Sequence, residues 1–214
     1  MDNLDNTHLQ KVVKHYYQEI ERYDWVTEPK YPEKLHHILR RRAVISVINK
    51  LIKNKHLTIL DIGCGTGFIT SRLNFDHVNA LDMNKWALQR AIIHTSDRVN
   101  FIQGDAENLP VASNMFDLVV STEMLEHLVQ PESALDEIYR IMKPGGLFIG
   151  TVPAKHIIFK YRKFLTTTCP VSEPFHNNYT IKEFTPLLKN FREAKVRYCL
   201  FKLLIIFIVQ KPLL

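Results

Sequence analysis

Three aspartates and one glycine-rich turn carry the residue types that could do chemistry in this chain. In LDIGCGTGF, residues 60–68, Asp61 precedes Gly63, Gly65 and Gly67, which are three of the seven glycines in the chain. Glycine is needed where the backbone adopts a positive φ or where another group approaches the main chain closely. A carboxylate beside such a turn suits a ligand that carries a cationic ammonium group and no phosphate.

The turn lacks the fingerprints of two common nucleotide sites. A dinucleotide site needs Gly-x-Gly-x-x-Gly, but position 68 is Phe68, and a phosphate loop needs a lysine directly after its last glycine. Asp82 ends the second predicted strand, where a carboxylate can accept both hydroxyls of a ribose, as it also does in NAD sites. Asp105 follows the third predicted strand and could accept from an adenine amino group. A nucleoside ligand is therefore expected, and these acids alone leave NAD open.

Short apolar runs position these residues, and they alternate with segments of helical periodicity. Five runs predict buried parallel strands: LTILDIG, VNALD, VNFIQGD, FDLVVS and LFIGTVP. After Pro153 the runs FREAKVRYCL and KLLIIFIVQK are joined too tightly for a helical crossover, so they should pair antiparallel. The pattern predicts an α/β sheet with helices on both faces and one reversed strand.

Four segments predict the helices of this core. FITSRLN follows the glycine turn, Asn84 caps NKWALQRAIIH, and PESALDEIYRIMKPGG should be stopped by its Pro-Gly-Gly. Upstream, residues 34–53 predict a helix whose apolar stripe is Leu35, Ile38, Leu39, Ile45, Ile48 and Ile52. Downstream, Thr180 and Glu183 predict a capping box.

Composition excludes several function classes. The 214 residues suit one domain, and the three widely spaced cysteines suggest neither disulfides nor a zinc site, so we expect a reducing, cytoplasmic compartment and no metal. The start of the chain lacks a secretory signal, and the most hydrophobic stretch, 203–209, is too short to span a membrane. The net charge of +6 gathers at 39–42 and 160–163, which we interpret as a solvated basic face without a nucleic-acid signature.

Five motifs in order and spacing carry a resemblance to a known family. ILDIGCGTG, ALDMN, GDAENLP, FDLVVSTEMLEHL and RIMKPGG resemble the motifs of class I S-adenosylmethionine-dependent methyltransferases, more narrowly the small-molecule subgroup that includes ubiquinone and menaquinone biosynthesis enzymes. The resemblance covers about residues 57–153. It implies a Rossmann-like, seven-stranded, mostly parallel sheet with an antiparallel last strand, and S-adenosyl-L-methionine as the cofactor.

The resemblance also implies roles for individual residues. The loop 61–67 would hold the methionine end of the cofactor, Asp82 the ribose, and Met83 would flank the adenine. His127 would stand beside the active site, where a histidine, with its ordinary pKa of about 6.5, suits removal of a hydroxyl proton. The cofactor-binding residues expected on this basis are Asp61, Gly63, Cys64, Gly65, Gly67, Asp82, Met83, Asp105, Ala106, Ser121 and Glu123.

The acceptor of the methyl group is expected to be a small molecule, methylated at oxygen. Residues 1–53 would form a helical cover, 57–153 the cofactor-binding core, 154–190 a substrate-side insert and 191–214 the terminal hairpin of one methyltransferase domain. Tyr16, Tyr17 and Trp25 could line a lid or simply pack, and His176 could lie at the pocket mouth or in an exposed loop. Acceptors of protein, RNA or lipid, peripheral membrane contact, and a non-catalytic binding module stay open as alternatives.

Overall fold

A computed structural model of the protein describes residues 2–20, 33–156 and 174–213. In these ranges seven strands form one sheet in the order β3-β2-β1-β4-β5-β7-β6. The strands are β1 (Thr58–Ile62), β2 (His77–Asp82), β3 (Val99–Gln103), β4 (Phe116–Thr122), β5 (Met142–Pro153), β6 (Arg192–Cys199) and β7 (Leu204–Gln210). The helices are α1 (Asp2–Glu19), α2 (Glu33–Leu51), α3 (Lys85–His94), α4 (Pro131–Ile141) and the short α5 (Ile181–Phe184).

The sheet has the predicted topology. Strands β1 to β5 pair in parallel, whereas β7 runs antiparallel to both of its neighbours, β5 and β6. The chain proceeds from β1 outward to β3 and then returns to β4 on the other side of β1. In open α/β sheets, ligands bind in the crevice at the carboxyl ends of the strands where the order reverses. The crevice between β1 and β4 is therefore the expected binding edge.

Two hydrophobic layers bury the sheet. On one face, α2 packs its inward side chains against β1, β4 and β5, with Val44 and Ile48 almost fully buried. On the other face, α4 contributes Ile138, which packs in a cluster with Phe148 and Phe207. Because both faces are covered, the central strands read as nearly continuous apolar runs, as the sequence shows.

The inward side of α2 differs from the predicted stripe. Leu35 is 48% exposed, whereas His37 and Arg40 are buried together with Val44 and Ile48. Positions four apart lie on one helix face, so the inward row runs from Ile48 through Val44 to Arg40. The predicted stripe was thus right at Ile48 and Ile52 but wrong at Leu35, because the buried face becomes polar near the carboxyl edge of the sheet.

The segment FITSRLN does not form the full helix that was expected. Only Thr70–Arg72 is helical, as a 3₁₀ turn in which the amides of Arg72 and Leu73 bond three residues back. The hydroxyl of Thr70 donates to Asp61 in β1, at 2.6 Å between oxygens. This bond fixes the segment against the sheet and favours a short turn over a longer helix.

The predicted end of α4 was also wrong. The helix ends at Ile141, and Pro144, Gly145 and Gly146 lie within β5. The amide of Gly145 donates to the carbonyl of Lys211, whose own amide donates to the carbonyl of Gly146. The Pro-Gly-Gly segment therefore continues the pairing with the C-terminal segment instead of forming a free turn.

We expect Gly150→Ala to destabilise the fold by about 1–3 kcal/mol or more, because the site leaves no room for a methyl group. A Cβ added there would overlap the carbonyl oxygen of Ser121 and lie 2.5 Å from Cζ of Phe207. Neither the backbone of β4 nor a buried ring can move aside cheaply. Urea denaturation should show a lower midpoint with an unchanged slope. An unchanged midpoint would mean that β4 and β5 are less tightly apposed than described here.

Candidate active site

The glycine turn after β1 is held tightly to β2. The amides of Gly63 and Cys64 both donate to the carbonyl of Leu81, at 2.8 and 3.0 Å. Gly63 has a φ of +70°, and a Cβ there would lie 2.6 Å from Cγ of Met124. Both the backbone conformation and the close approach of Met124 require glycine at this position.

Asp82 joins this turn to the start of α3. One carboxylate oxygen accepts from the amide of Gly65 at 2.7 Å, and the other accepts from the amide of Asn84 at 2.9 Å. Burial raises the pKa of Asp82, and these backbone hydrogen bonds oppose that shift. Each carboxylate oxygen can accept a further hydrogen bond, so contact with ribose hydroxyls stays a prediction that this geometry permits.

Asp61 lies beneath the glycine turn. Its side chain is almost fully buried, and one oxygen accepts the hydroxyl of Thr70. Burial raises the pKa of Asp61 to about 7, although the Thr70 hydrogen bond favours the ionised form. Its predicted role toward an ammonium group is untested.

Residues Met83, Asp105 and Ala106 follow β2 and β3 at the same edge. Nζ of Lys14 in α1 lies 2.7 Å from Asp105 and 2.5 Å from Glu107. Ala106 is buried, and the carbonyl of Met83 accepts from Gln103 at 3.2 Å. The carboxylate expected to meet adenine is thus engaged by a lysine from α1.

The first helix covers this edge of the sheet. Asn84 caps α3 as predicted, since its side chain accepts from the amide of Ala87 at 2.9 Å. The same side chain donates to the carbonyls of Tyr17 and Ile20, at 2.9 and 2.7 Å. A single asparagine therefore both starts α3 and anchors the end of α1. Trp25, the other aromatic residue considered for a lid, lies outside the described residues.

His127 lies at the end of a 3₁₀ turn, Leu125–His127, just beyond β4. Its Nδ1 is 2.6 Å from the hydroxyl of Tyr17, and its Nε2 is 3.8 Å from a carboxylate oxygen of the buried Glu126. Its ring packs edge-on against the ring of His176, with centroids 5.1 Å apart. His176 thus lies beside His127 and not in an exposed loop.

Ser121 and Glu123 lie at the carboxyl end of β4. Ser121 is 1% exposed, and its hydroxyl has no hydrogen-bond partner among the described residues. Glu123 has a φ of +55°, a strained conformation for a residue with a side chain, and it accepts from the hydroxyl of Thr151 at 3.1 Å. Nη1 of Arg40 lies 3.6 Å from the other carboxylate oxygen.

The basic run 39–42 is only in part the solvated face that we expected, because Arg42 is exposed but Arg40 is buried. Arg40 is 7% exposed, and the guanidinium of Arg41 lies 4.2 Å from the centre of the Phe68 ring. The second basic run, 160–163, lies outside the described residues.

Burial also raises the pKa of the Cys64 thiol, which therefore stays protonated beside the glycine turn.

Sequence reasoning missed two residues that the fold brings to this edge, Lys14 in α1 and Arg40 in α2. Tyr17, which was considered for a lid, lies at the same edge against His127. The available signal was positional: a basic residue at the inward position four before Val44 continues a buried helix face.

No group of three acidic, histidine or cysteine side chains suited to a metal occurs in the described part of the chain. Likewise, none of its described helices is long and apolar enough to cross a membrane.

Sequence comparison finds similarity between this chain and methyltransferases. Residues 60–150 match a family model described as a methyltransferase domain. The chain is 37% identical over 99 residues to a sterol 24-C-methyltransferase of Pneumocystis carinii, covering 42% of this chain and 26% of that protein. It is 34% identical over 113 residues to a mitochondrial ubiquinone biosynthesis O-methyltransferase of Dictyostelium discoideum, covering 45% and 35%. The chain thus spans only about a quarter to a third of these two relatives.

A solved structure extends the likeness to nearly the whole fold. Magnesium protoporphyrin IX methyltransferase from Synechocystis PCC 6803, solved with bound SAH, superposes with a TM-score of 0.71 at 14% identity. The match covers 94% of this chain and 99% of that one. The Rossmann-like fold that the motifs implied is therefore confirmed.

We expect Asp61→Asn to remove a pH dependence of folding stability. Because burial raises the pKa of Asp61 from 3.8 to about 7, the native state holds a proton that the unfolded state loses in that range. Native stability should thus fall as pH rises from about 4 to 7, by roughly 1.4 kcal/mol per unit of pKa difference. Urea unfolding at pH 4.5 and 7.5, which spans most of that range, should show that the variant gains stability relative to wild type as the pH rises.

The exposed Asp97→Asn serves as the control, because its side chain stays in solvent. Parallel pH curves for wild type and Asp61→Asn would contradict the assignment of a buried, proton-binding Asp61.

Proposed function

We propose that this chain, whose residues 60–150 form a class I S-adenosylmethionine-dependent methyltransferase domain, transfers a methyl group to an oxygen of a small-molecule acceptor. The observation that carries the proposal is the meeting of three features at one sheet edge. The glycine turn held by Asp82, the acid Asp105 and the imidazole of His127 all lie at the carboxyl ends of β1 to β4. Relatives named for sterol carbon and for ubiquinone biosynthesis at oxygen differ in acceptor, so the acceptor atom is inferred here from the site.

The residues present fit S-adenosylmethionine. The unpartnered hydroxyl of buried Ser121, the open acceptor capacity of Asp82 and the close-approach turn at Gly63 are features that a nucleoside ligand with an amino-acid tail would use. When bound, this cofactor supplies an electrophilic methyl on a sulfonium. The contribution of the protein is to hold the acceptor in line, which can lower a barrier by about 7–11 kcal/mol.

An oxygen acceptor must also lose a proton as the carbon–sulfur bond breaks and the carbon–oxygen bond forms. His127 is placed to take that proton at Nδ1. We assign Nδ1 as the base because it lies within hydrogen-bond distance of the Tyr17 hydroxyl, whereas Nε2 is 3.8 Å from the Glu126 carboxylate, too far for a hydrogen bond to that group. In the structure, Nδ1 bonds the hydroxyl of Tyr17 at 2.6 Å, so we assign this hydroxyl as the relay between acceptor and imidazole.

Enclosure of the site supports a small acceptor over a macromolecule. The end of α1 is anchored above the edge through Asn84, and His176 packs against the ring of His127. Arg40, which belongs to one of the basic runs that suggested RNA, protein or anionic lipid, is buried.

Incubation with methyl-labelled S-adenosylmethionine and a fractionated small-molecule extract tests the proposal. We expect the label to enter low-molecular-mass products, and we expect calorimetry to show that S-adenosylmethionine binds whereas NAD does not. Label found only in protein, RNA or lipid fractions would overturn the acceptor class. Cofactor binding without any transfer would instead favour a non-catalytic binding module.

Once an acceptor is found, His127→Ala should lower kcat by about 10²–10⁴ while leaving cofactor affinity nearly unchanged. The wild-type rate should rise with pH as the imidazole loses its proton, because only neutral imidazole accepts one. Tyr17→Phe should lower kcat in the same direction but by less, since it removes the relay and keeps the base. A pH–rate profile that is identical in wild type and His127→Ala would exclude His127 as the base.

A further inference from the structure

Arg40 is a buried cation whose hydrogen-bonding capacity is mostly unused. Its side chain is 8% exposed, and its Nε is enclosed with no hydrogen-bond partner in the described part of the chain. Among the described residues its ionic contact is with Glu123, whose carboxylate oxygen lies 3.6 Å from Nη1, farther than a hydrogen bond. A guanidinium carries five N–H donors, and burying such a group without partners is costly. The fold itself gives no reason for a charge here.

Arg40 lies at the binding edge of the sheet, and its position there offers a reason for burying a charge. Val44 and Ile48 continue the same inward row of α2 as apolar residues that pack on the sheet. Arg40 lies one turn nearer the helix start, where the row passes beyond the carboxyl ends of the strands. An apolar residue would extend the packing at this point, so the arginine is better explained by something that binds there.

Glu123 does not supply the hydrogen bonds that the guanidinium of Arg40 lacks. Its carboxylate is held by the hydroxyl of Thr151, and its amide donates to the Thr151 carbonyl at 3.1 Å, which fixes its strained backbone. His36 on α2 also interacts electrostatically with both Glu123 and Arg40. Arg40 therefore faces the edge with a fixed acid on one side and free donors on the other.

We propose that Arg40 binds a carboxylate group of a ligand at the end of β4. Planar carboxylates match the fork of a guanidinium, and a ligand that also carries a cation would meet Glu123 beside it without adding net charge. Two sources offer this chemistry: the amino-acid end of the cofactor and an acidic acceptor. The inference rests on the proposed function only in taking its candidate ligands from that reaction.

The first experiment compares two nucleosides that differ in the amino-acid group. Calorimetry would give the Kd of S-adenosylhomocysteine and of 5′-methylthioadenosine, which lacks the carboxylate, for wild type, Arg40→Lys and Arg40→Gln. If the cofactor is the source, S-adenosylhomocysteine should bind about ten- to a hundredfold more weakly to Arg40→Gln, with 5′-methylthioadenosine unchanged. Unchanged 5′-methylthioadenosine binding also shows that the variant is folded. Arg41→Gln, the adjacent arginine that stacks on Phe68, is the matched control and should leave the S-adenosylhomocysteine affinity unaltered.

The second experiment uses protein saturated with S-adenosylhomocysteine. A panel of aliphatic and aromatic monocarboxylates, each paired with its primary amide, would be screened by thermal shift. If the acceptor is the source, acids should raise Tm more than their amides in wild type and Arg41→Gln, and this difference should vanish in Arg40→Gln. Arg40→Lys should retain part of it, because a lysine keeps the charge but not the fork.

Three results would overturn the proposal. If Arg40→Lys weakened the binding of both nucleosides equally, Arg40 would have a structural role. If substitution of Arg40 changed neither the nucleoside affinities nor the thermal shifts, Arg40 would bind no carboxylate ligand. Failure of wild type to bind either nucleoside would remove the cofactor assignment and this inference together. Conversely, Arg40-dependent carboxylate binding without any methyl transfer would support this inference and overturn only the proposed function.

Discussion

The carboxylate of Asp82 is the link on which the geometry of the site depends. It accepts one amide from the glycine turn and one from the start of α3, and so joins two loops that β1 and β2 bring to the same edge. The second amide belongs to Asn84, whose side chain anchors the end of α1. Tyr17 is thereby placed on His127, 110 residues away in the chain. One acidic residue at a strand end thus supports both the binding turn and the cover.

Burial of polar groups at this edge is unfavourable for folding in the absence of ligand. Asp61 is driven toward its neutral form, and Nε of Arg40 has no hydrogen-bond partner among the residues that the structure describes. Such groups are rarely buried unless they are paired, because desolvation costs several kcal/mol per uncompensated ion. A ligand that carries both an ammonium and a carboxylate would compensate these costs on binding. The same residues that weaken the free protein would then contribute to affinity.

The parts of the fold set by local pattern could be predicted from the sequence. The strands, the Asn84 cap and the Thr180 capping box follow from short-range hydrogen bonding and side-chain periodicity, and the structure confirms them. The expected burial was wrong for β3, which lies at the edge of the sheet and is only partly buried. The end of α4 could not be placed, because the Pro-Gly-Gly segment pairs with Lys211, which is distant in sequence. Its turn signal was real but was outweighed by tertiary pairing.

The same difference between local and long-range contacts decides which parts of the site could be predicted. The turn and the acids after β1 to β3 sit at fixed distances from their own strands, so their meeting at one edge followed from the topology alone. Tyr17 and Arg40 come from helices whose docking depends on contacts with distant residues, and the apolar pattern of α2 pointed to a different face. On the inward row of α2, Arg40 breaks the apolar pattern just where that row leaves the sheet. A polar side chain at such a boundary is better interpreted as part of a binding edge than as an error in the predicted helix face.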